Sequence, residues 1–163
     1  FGDVDASIGA QSNTLVVPEM VAFEDCPTRP ANPDMPLGLS SRLDMRLHPD
    51  DVSFATNEPA GIARVRGYFA FKDGRPVDTL SLLLAADAFP PVTFNWFGMK
   101  GWVPTIEFTV HVRGVPAPGP ILCEFTSALT QGGYWEEDGV MWDSAGNVVA
   151  MSRQLALSPM SAD

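Results

Sequence analysis

Basic residues are scarce in this chain. Ten Lys and Arg stand against twenty Asp and Glu, a formal net charge of −10. The bases are scattered singly, so the clustered cations that grip nucleic-acid phosphates are missing. Long hydrophobic runs are missing too. The longest purely apolar one, Leu82 to Ala86, falls far short of the ~20 residues a membrane span needs. No basic stretch leading into an apolar run opens the chain, so no signal peptide is expected in it. Cysteine is limited to Cys26 and Cys123, in unlike surroundings, which argues for a reducing compartment, the cytoplasm, over a disulfide framework. The only histidines, His48 and His111, have no ligand-spaced cysteines beside them, so neither a metal site nor a cofactor is expected. A G-x-S-x-G nucleophile motif and a glycine-rich phosphate loop are both absent; Gly132-Gly133 reads as a turn. What is present is enough apolar residue, 45%, to build a core.

Residues 1–38 differ from the rest. They hold six acids and one base, Arg29, and five of the fifteen prolines. Proline lacks a backbone donor and fixes its own φ, so this spacing excludes a helix or a central strand. The segment reads as a linker or surface-wrapping arm with one short strand near Thr14 to Val17. From Leu39 the period changes to two: Arg42, Asp44, Arg46 and His48 alternate with Leu43, Met45 and Leu47, a half-buried strand. A turn-like stretch, Pro49 to Gly61, leads to a second strand in which Arg64 and Arg66 alternate with Val65 and Phe69.

One helix follows, with Pro76 suited to its first position and Asp78 to its first turn. Leu80, Leu83, Leu84 and Asp87 keep helical spacing, and Leu82 extends the apolar surface nearly all round, which predicts a buried helix. Pro90 and Pro91 stop it. Strands then resume. Thr105, Glu107, Thr109, His111 and Arg113 form the polar face of one. Ile121 to Leu129 is the next, and Tyr134 to Trp142 with Val148 to Leu157 make a hairpin across Asp143 to Asn147. Two strands, one buried helix and about four strands define an α+β fold, an antiparallel sheet wrapped around one central helix.

The stretches SLLLAADAFPP (81–91), WVPTIEFTVHVR (102–113) and YWEEDGVMWDSAGNVVAMSRQLAL (134–157) resemble the acyl-CoA thioesterase II family. The resemblance implies a hotdog fold, and specifically the second unit of a double hotdog, over roughly residues 39 to 157. On this reading residues 1–38 are the end of a preceding unit plus linker, and 39–163 the C-terminal hotdog domain. It further implies an acyl-CoA substrate and a catalytic Asp, Thr and Gln that together hold and activate water. Asp87 at the helix end, Thr105 in the following strand and Gln154 in the last strand match them. Because a lone hotdog exposes a sheet edge and one helix face, the implied partner is the N-terminal unit or a second copy of the chain.

Thioester hydrolysis needs a nucleophilic water and donors for the developing oxyanion. Apolar neighbours and the negative end of the helix dipole should both raise the Asp87 carboxyl toward a useful value. Taken singly, Thr105 is also an ordinary strand residue, and Gln154 is as well explained as an edge residue facing water. Trp96, Phe97, Met99 and Trp102 cluster after the helix. Either Trp96, Phe97 and Trp102 line an acyl channel with Lys100 toward a CoA phosphate, or the cluster caps the sheet edge or packs against the first unit. The competing functional readings are a non-catalytic acyl-binding or assembly module, and a hotdog hydratase, whose helical Asp–His pair is absent.

Overall fold

The computed structural model describes residues 12–29, 38–39, 41–56 and 58–158. Seven strands form a single antiparallel sheet: β1 (Leu43–Leu47), β2 (Arg64–Phe71), β3 (Thr105–Val112), β4 (Ile121–Thr126), β5 (Thr130–Gln131), β6 (Tyr134–Trp142) and β7 (Val148–Leu157). Their order across the sheet is β1-β2-β4-β6-β7-β3, with the short β5 paired to β6. The helix α1 (Thr79–Asp87) packs on β3, β4 and β7. This is the α+β architecture expected from the sequence, one central helix in an antiparallel wrap.

Local chemistry sets the helix ends. Asp78 is the N-cap: its Oδ1 accepts from the Ser81 amide at 2.8 Å, and Ser81 Oγ accepts from the Asp78 amide in return. This reciprocal box closes the first turn, so Pro76 precedes the helix instead of opening it. Pro90 and Pro91 end α1 as expected, but Pro91 is also the N-cap of a second, six-residue helix α2 (Val92–Phe97). A proline that cannot continue one helix is well suited to begin the next.

The core is built from inward-facing residues of every long strand and one side of α1. Leu47, Val65, Phe69, Leu82, Val92, Ile121, Phe125, Met141 and Val149 are at most 1–2% exposed. The expectation that α1 is buried all round is corrected here. Leu82, Ala85 and Ala86 are buried, whereas Leu80 is 73% and Leu83 44% exposed. The sheet occupies one side of the helix, and no described element covers the other.

The segment before β1 does wrap the surface, although its pairing lies elsewhere than expected. Thr14 to Val17 form no strand. Instead the Leu47 amide donates to the Pro27 carbonyl and the Arg29 amide to the Met45 carbonyl, so that Thr28 bridges Arg46 at the β1 edge. Phe23 meets Tyr68 edge-to-face and lies under the Arg46 guanidinium, 4.4 Å from the ring centre. Arg29 donates to the carbonyl of Ala88, the C-cap of α1, at 2.8 Å. The expected boundary at residues 38 and 39 adjoins a stretch, 30–37, outside the described residues.

Beneath this arm the turn-like stretch forms two 3₁₀ turns, Pro49–Asp51 and Ser53–Thr56. They bury Asp51, which accepts from the Arg66 amide and Nε at 2.9 Å each. Arg66 also reaches His48 Nδ1 and the Glu19 carbonyl. Alternation alone puts Arg66 and His48 on the outer, polar side of β1 and β2. The arm and the turns bury both, with a matched anion supplied from the loop.

Candidate active site

Thr105 opens β3, the last strand of the sheet, which pairs only with β7 among the described residues. The expected strict alternation would place Thr105 on the outer face with Glu107 and Thr109. A β-bulge between Thr105 and Glu107 overturns this. Glu107 pairs with Leu155, yet Thr105 pairs with Ala156, so one residue is left over and Thr105 shifts to the opposite face. That is the face carrying Gln154, and a bulge is a common way to re-aim one side chain. Gln154 Nε2 donates to Thr105 Oγ1 across the two strands. Having accepted this bond, the Thr105 hydroxyl keeps its own proton to donate elsewhere, and Gln154 keeps a second amide proton.

Asp87 is the final residue of α1, on the exposed face that continues from Leu80 and Leu83. Desolvation by its surroundings raises its carboxyl above the ordinary aspartate value. The direction is the one expected from its apolar sequence neighbours.

A fourth polar group, passed over in the sequence, adjoins Gln154. Glu137 of β6 lies directly across from Gln154 of β7 and is 7% exposed. Its Oε2 accepts from the Val92 amide, the first residue of α2, at 2.9 Å. Burial pushes its carboxyl up to about 8, partly offset by the Val92 bond and reinforced by the nearby charge of Asp87. The signal was available: Glu137 shares strand parity with Trp135, Gly139 and Met141, all buried. An acid on the apolar face of a strand is the informative exception to burial rules.

The expected aromatic residues fall on α2 and the segment behind it. Trp96 and Phe97 are half-buried and stacked, with ring centres 4.7 Å apart and planes inclined by 15°. Lys100 and Trp102 are exposed, Trp102 to 65%. His111 is exposed on β3. No group of three or more His, Cys, Asp or Glu among the described residues is arranged to hold a metal ion. Cys26 and Cys123 are both unpaired and buried.

An antiparallel sheet wrapped around one central helix defines a hotdog domain. The model of the acyl-CoA thioesterase C-terminal domain family matches residues 23–158, and the chain belongs to that family. A candidate thioesterase II from Thermobifida fusca is similar in structure, with a TM-score of 0.76 and 30% identity over 91% of this chain and 56% of that one. A hotdog-fold protein from Alicyclobacillus acidocaldarius shares the fold at a TM-score of 0.80 and 20% identity, covering 94% of this chain and 59% of its own. An uncharacterized Mycobacterium tuberculosis protein is 28% identical over 96% of this chain. The chain spans 56% of the length of that curated relative. Among the described residues no helix is long and apolar enough to cross a membrane.

Proposed function

We propose that this chain is the C-terminal hotdog unit of an acyl-CoA thioesterase, hydrolysing a fatty acyl-CoA to free acid and CoA with a water held by Asp87, Thr105 and Gln154. The observation that carries the reading is the Gln154–Thr105 hydrogen bond, which exists because the bulge turns Thr105 to the face that carries Gln154. A Thr facing outward with Glu107 would have no access to that amide.

In this mechanism Asp87 takes a proton from water as the water oxygen attacks the thioester carbonyl. Donors that remain on Thr105 and Gln154 orient the water and the developing oxyanion. Collapse breaks the C–S bond, and the leaving thiolate takes the proton back. The raised Asp87 carboxyl suits a base, since proton affinity closer to neutrality makes it a better acceptor. Trp96, Phe97 and Trp102 would wall the acyl chain, and Lys100 would meet a CoA phosphate.

The partner in this reading is a second hotdog unit, supplied by the same longer protein or by another copy. Leu80 and Leu83 on α1 and Ile106 on β3 are exposed beside an unpaired strand edge. Such an edge is normally paired or covered. The same apolar face favours the rival reading, an acyl-binding module, because it would hold a fatty chain without any water chemistry.

Thiol release from short, medium and long acyl-CoAs decides between them. Turnover is expected from the chain, or from the chain with an N-terminal unit supplied. Absence of turnover in both forms, with acyl-CoA still bound, would establish the binding module instead.

A further inference from the structure

The described residues include three buried acids, and two have plain structural work. Asp51 holds the Arg66 guanidinium, and Asp143 closes the β6–β7 turn by accepting from the amides of Ala145 and Asn147. Glu137 has no cation. The charges acting on it are Asp87 at the end of α1 and Asp138 beside it on β6, both negative. Asp138 is engaged by Arg153 on the opposite face of the sheet, at 2.7 Å. Arg29, which reaches the same end of α1 from the arm, is directed at the Ala88 carbonyl. From β7 the group facing Glu137 is the neutral Gln154, and from α2 it is the Val92 amide.

Holding the Val92 amide does not require an acid. A glutamine would accept the same bond without the desolvation of a carboxylate. An acid here, within the field of a second acid and without a counter-ion, calls for a use of its proton.

Resting on the thioesterase reading above, we propose that Glu137 is a positioning residue of the site, a buried carboxyl opposite Gln154 that takes the proton so that Asp87 carries the charge. Two neighbouring carboxyls cannot both ionise cheaply, and the more buried one keeps the proton. Glu137 is nearly fully buried and Asp87 is exposed, so the assignment of acid and base follows from depth. At neutral pH Glu137 is neutral and Asp87 is the ionised base. When Glu137 loses its proton to solvent, a second negative charge appears where an oxyanion must form, and the rate falls.

Two readouts test this. The first is the pH profile of kcat/KM for acyl-CoA hydrolysis, which should decline through about pH 8 in the native protein. In Glu137→Gln, which retains an acceptor for the Val92 amide but cannot ionise, that alkaline decline should disappear while the acid limb stays. The second needs no turnover: the infrared band of a protonated carboxyl. It should be present at neutral pH, vanish near pH 8, be absent in Glu137→Gln, and vanish at lower pH in Asp87→Asn, which removes the repelling charge. An alkaline limb that persists in Glu137→Gln would overturn the proposal. So would a band midpoint indifferent to Asp87→Asn. Absence of hydrolysis both with and without an N-terminal unit supplied, with the band behaving as expected, would refute the thioesterase reading and leave the carboxyl pair standing.

Discussion

The two edges of the sheet are finished in opposite ways. At the β1 edge the chain covers itself: the arm bridges β1 at Thr28, Arg66 ties Glu19, Asp51 and His48 together, and Tyr68 donates to the Val21 carbonyl. At the β3 edge no described element pairs with the outer side of the strand, and Ile106, Leu80 and Leu83 are exposed on the elements that carry Asp87 and Thr105. One edge has most of its polar groups buried and bonded to one another, Ser53 Oγ and Arg64 Nε being exceptions. The other leaves donors and a raised carboxyl accessible. A region whose polar groups are mostly spent on one another contributes stability and has little left to offer a substrate. The division of labour between fold and chemistry follows from that difference.

The sharpest way to break the comparison is to remove the base at the open edge. Asp87→Asn should lower thiol release from acyl-CoA about 10²–10⁴-fold, the usual range for loss of a positioned proton acceptor. Its melting temperature should hold or rise slightly, because a desolvated carboxylate at a helix C-terminus is removed. The counterpart at the closed edge is Arg66→Met. Leaving buried Asp51 with only the looser Arg64 ion pair at 3.7 Å should cost about 3 kcal/mol in denaturant unfolding. The shape of the activity profile with pH should not change, since Arg66 has no part in the site.

A third test joins the two regions through pH. Glu137 holds its proton in the folded state up to about pH 8, whereas an unfolded glutamate releases it near its ordinary value of 4.5. Between those values the native state binds the extra proton, so this residue makes stability fall as pH rises. The slope should approach ~1.4 kcal/mol per pH unit within that window and vanish below it. Urea titrations at several pH values should show this slope reduced in Glu137→Gln. Smallest is Asp78→Ala, which removes the cap of α1 and should cost about 1 kcal/mol in unfolding free energy, with activity following the helix.

Much of this was legible in the residues themselves. The β6–β7 hairpin follows from its alternation and from the Asp143 to Asn147 turn, where Gly146 takes a φ of 80°. The Asp–Thr–Gln set came from resemblance, because no one of these residues announces itself alone. What was not legible depends on contacts distant in sequence. A bulge at Ile106 changes which way Thr105 points, and period-two reading assumes that no residue is left over. Leu80 and Leu83 look like core by hydrophobicity, but whether a helix face is covered depends on what packs there. Arg66 looks like surface because the carboxylate of Asp51 and the arm carbonyl of Glu19 lie 15 and 47 positions away. Glu137 was visible in principle, as an acid in register with Trp135 and Met141. The pattern was there, and its proton chemistry needed the neighbours across the strand and at the helix end.

The most direct test measures thiol release and melting temperature together for native protein, Asp87→Asn and Arg66→Met. The account predicts that Asp87→Asn loses turnover and keeps its melting point, whereas Arg66→Met loses melting temperature and, where still folded, keeps turnover. Undiminished thiol release by Asp87→Asn would contradict it, and would move the chemistry away from the open edge.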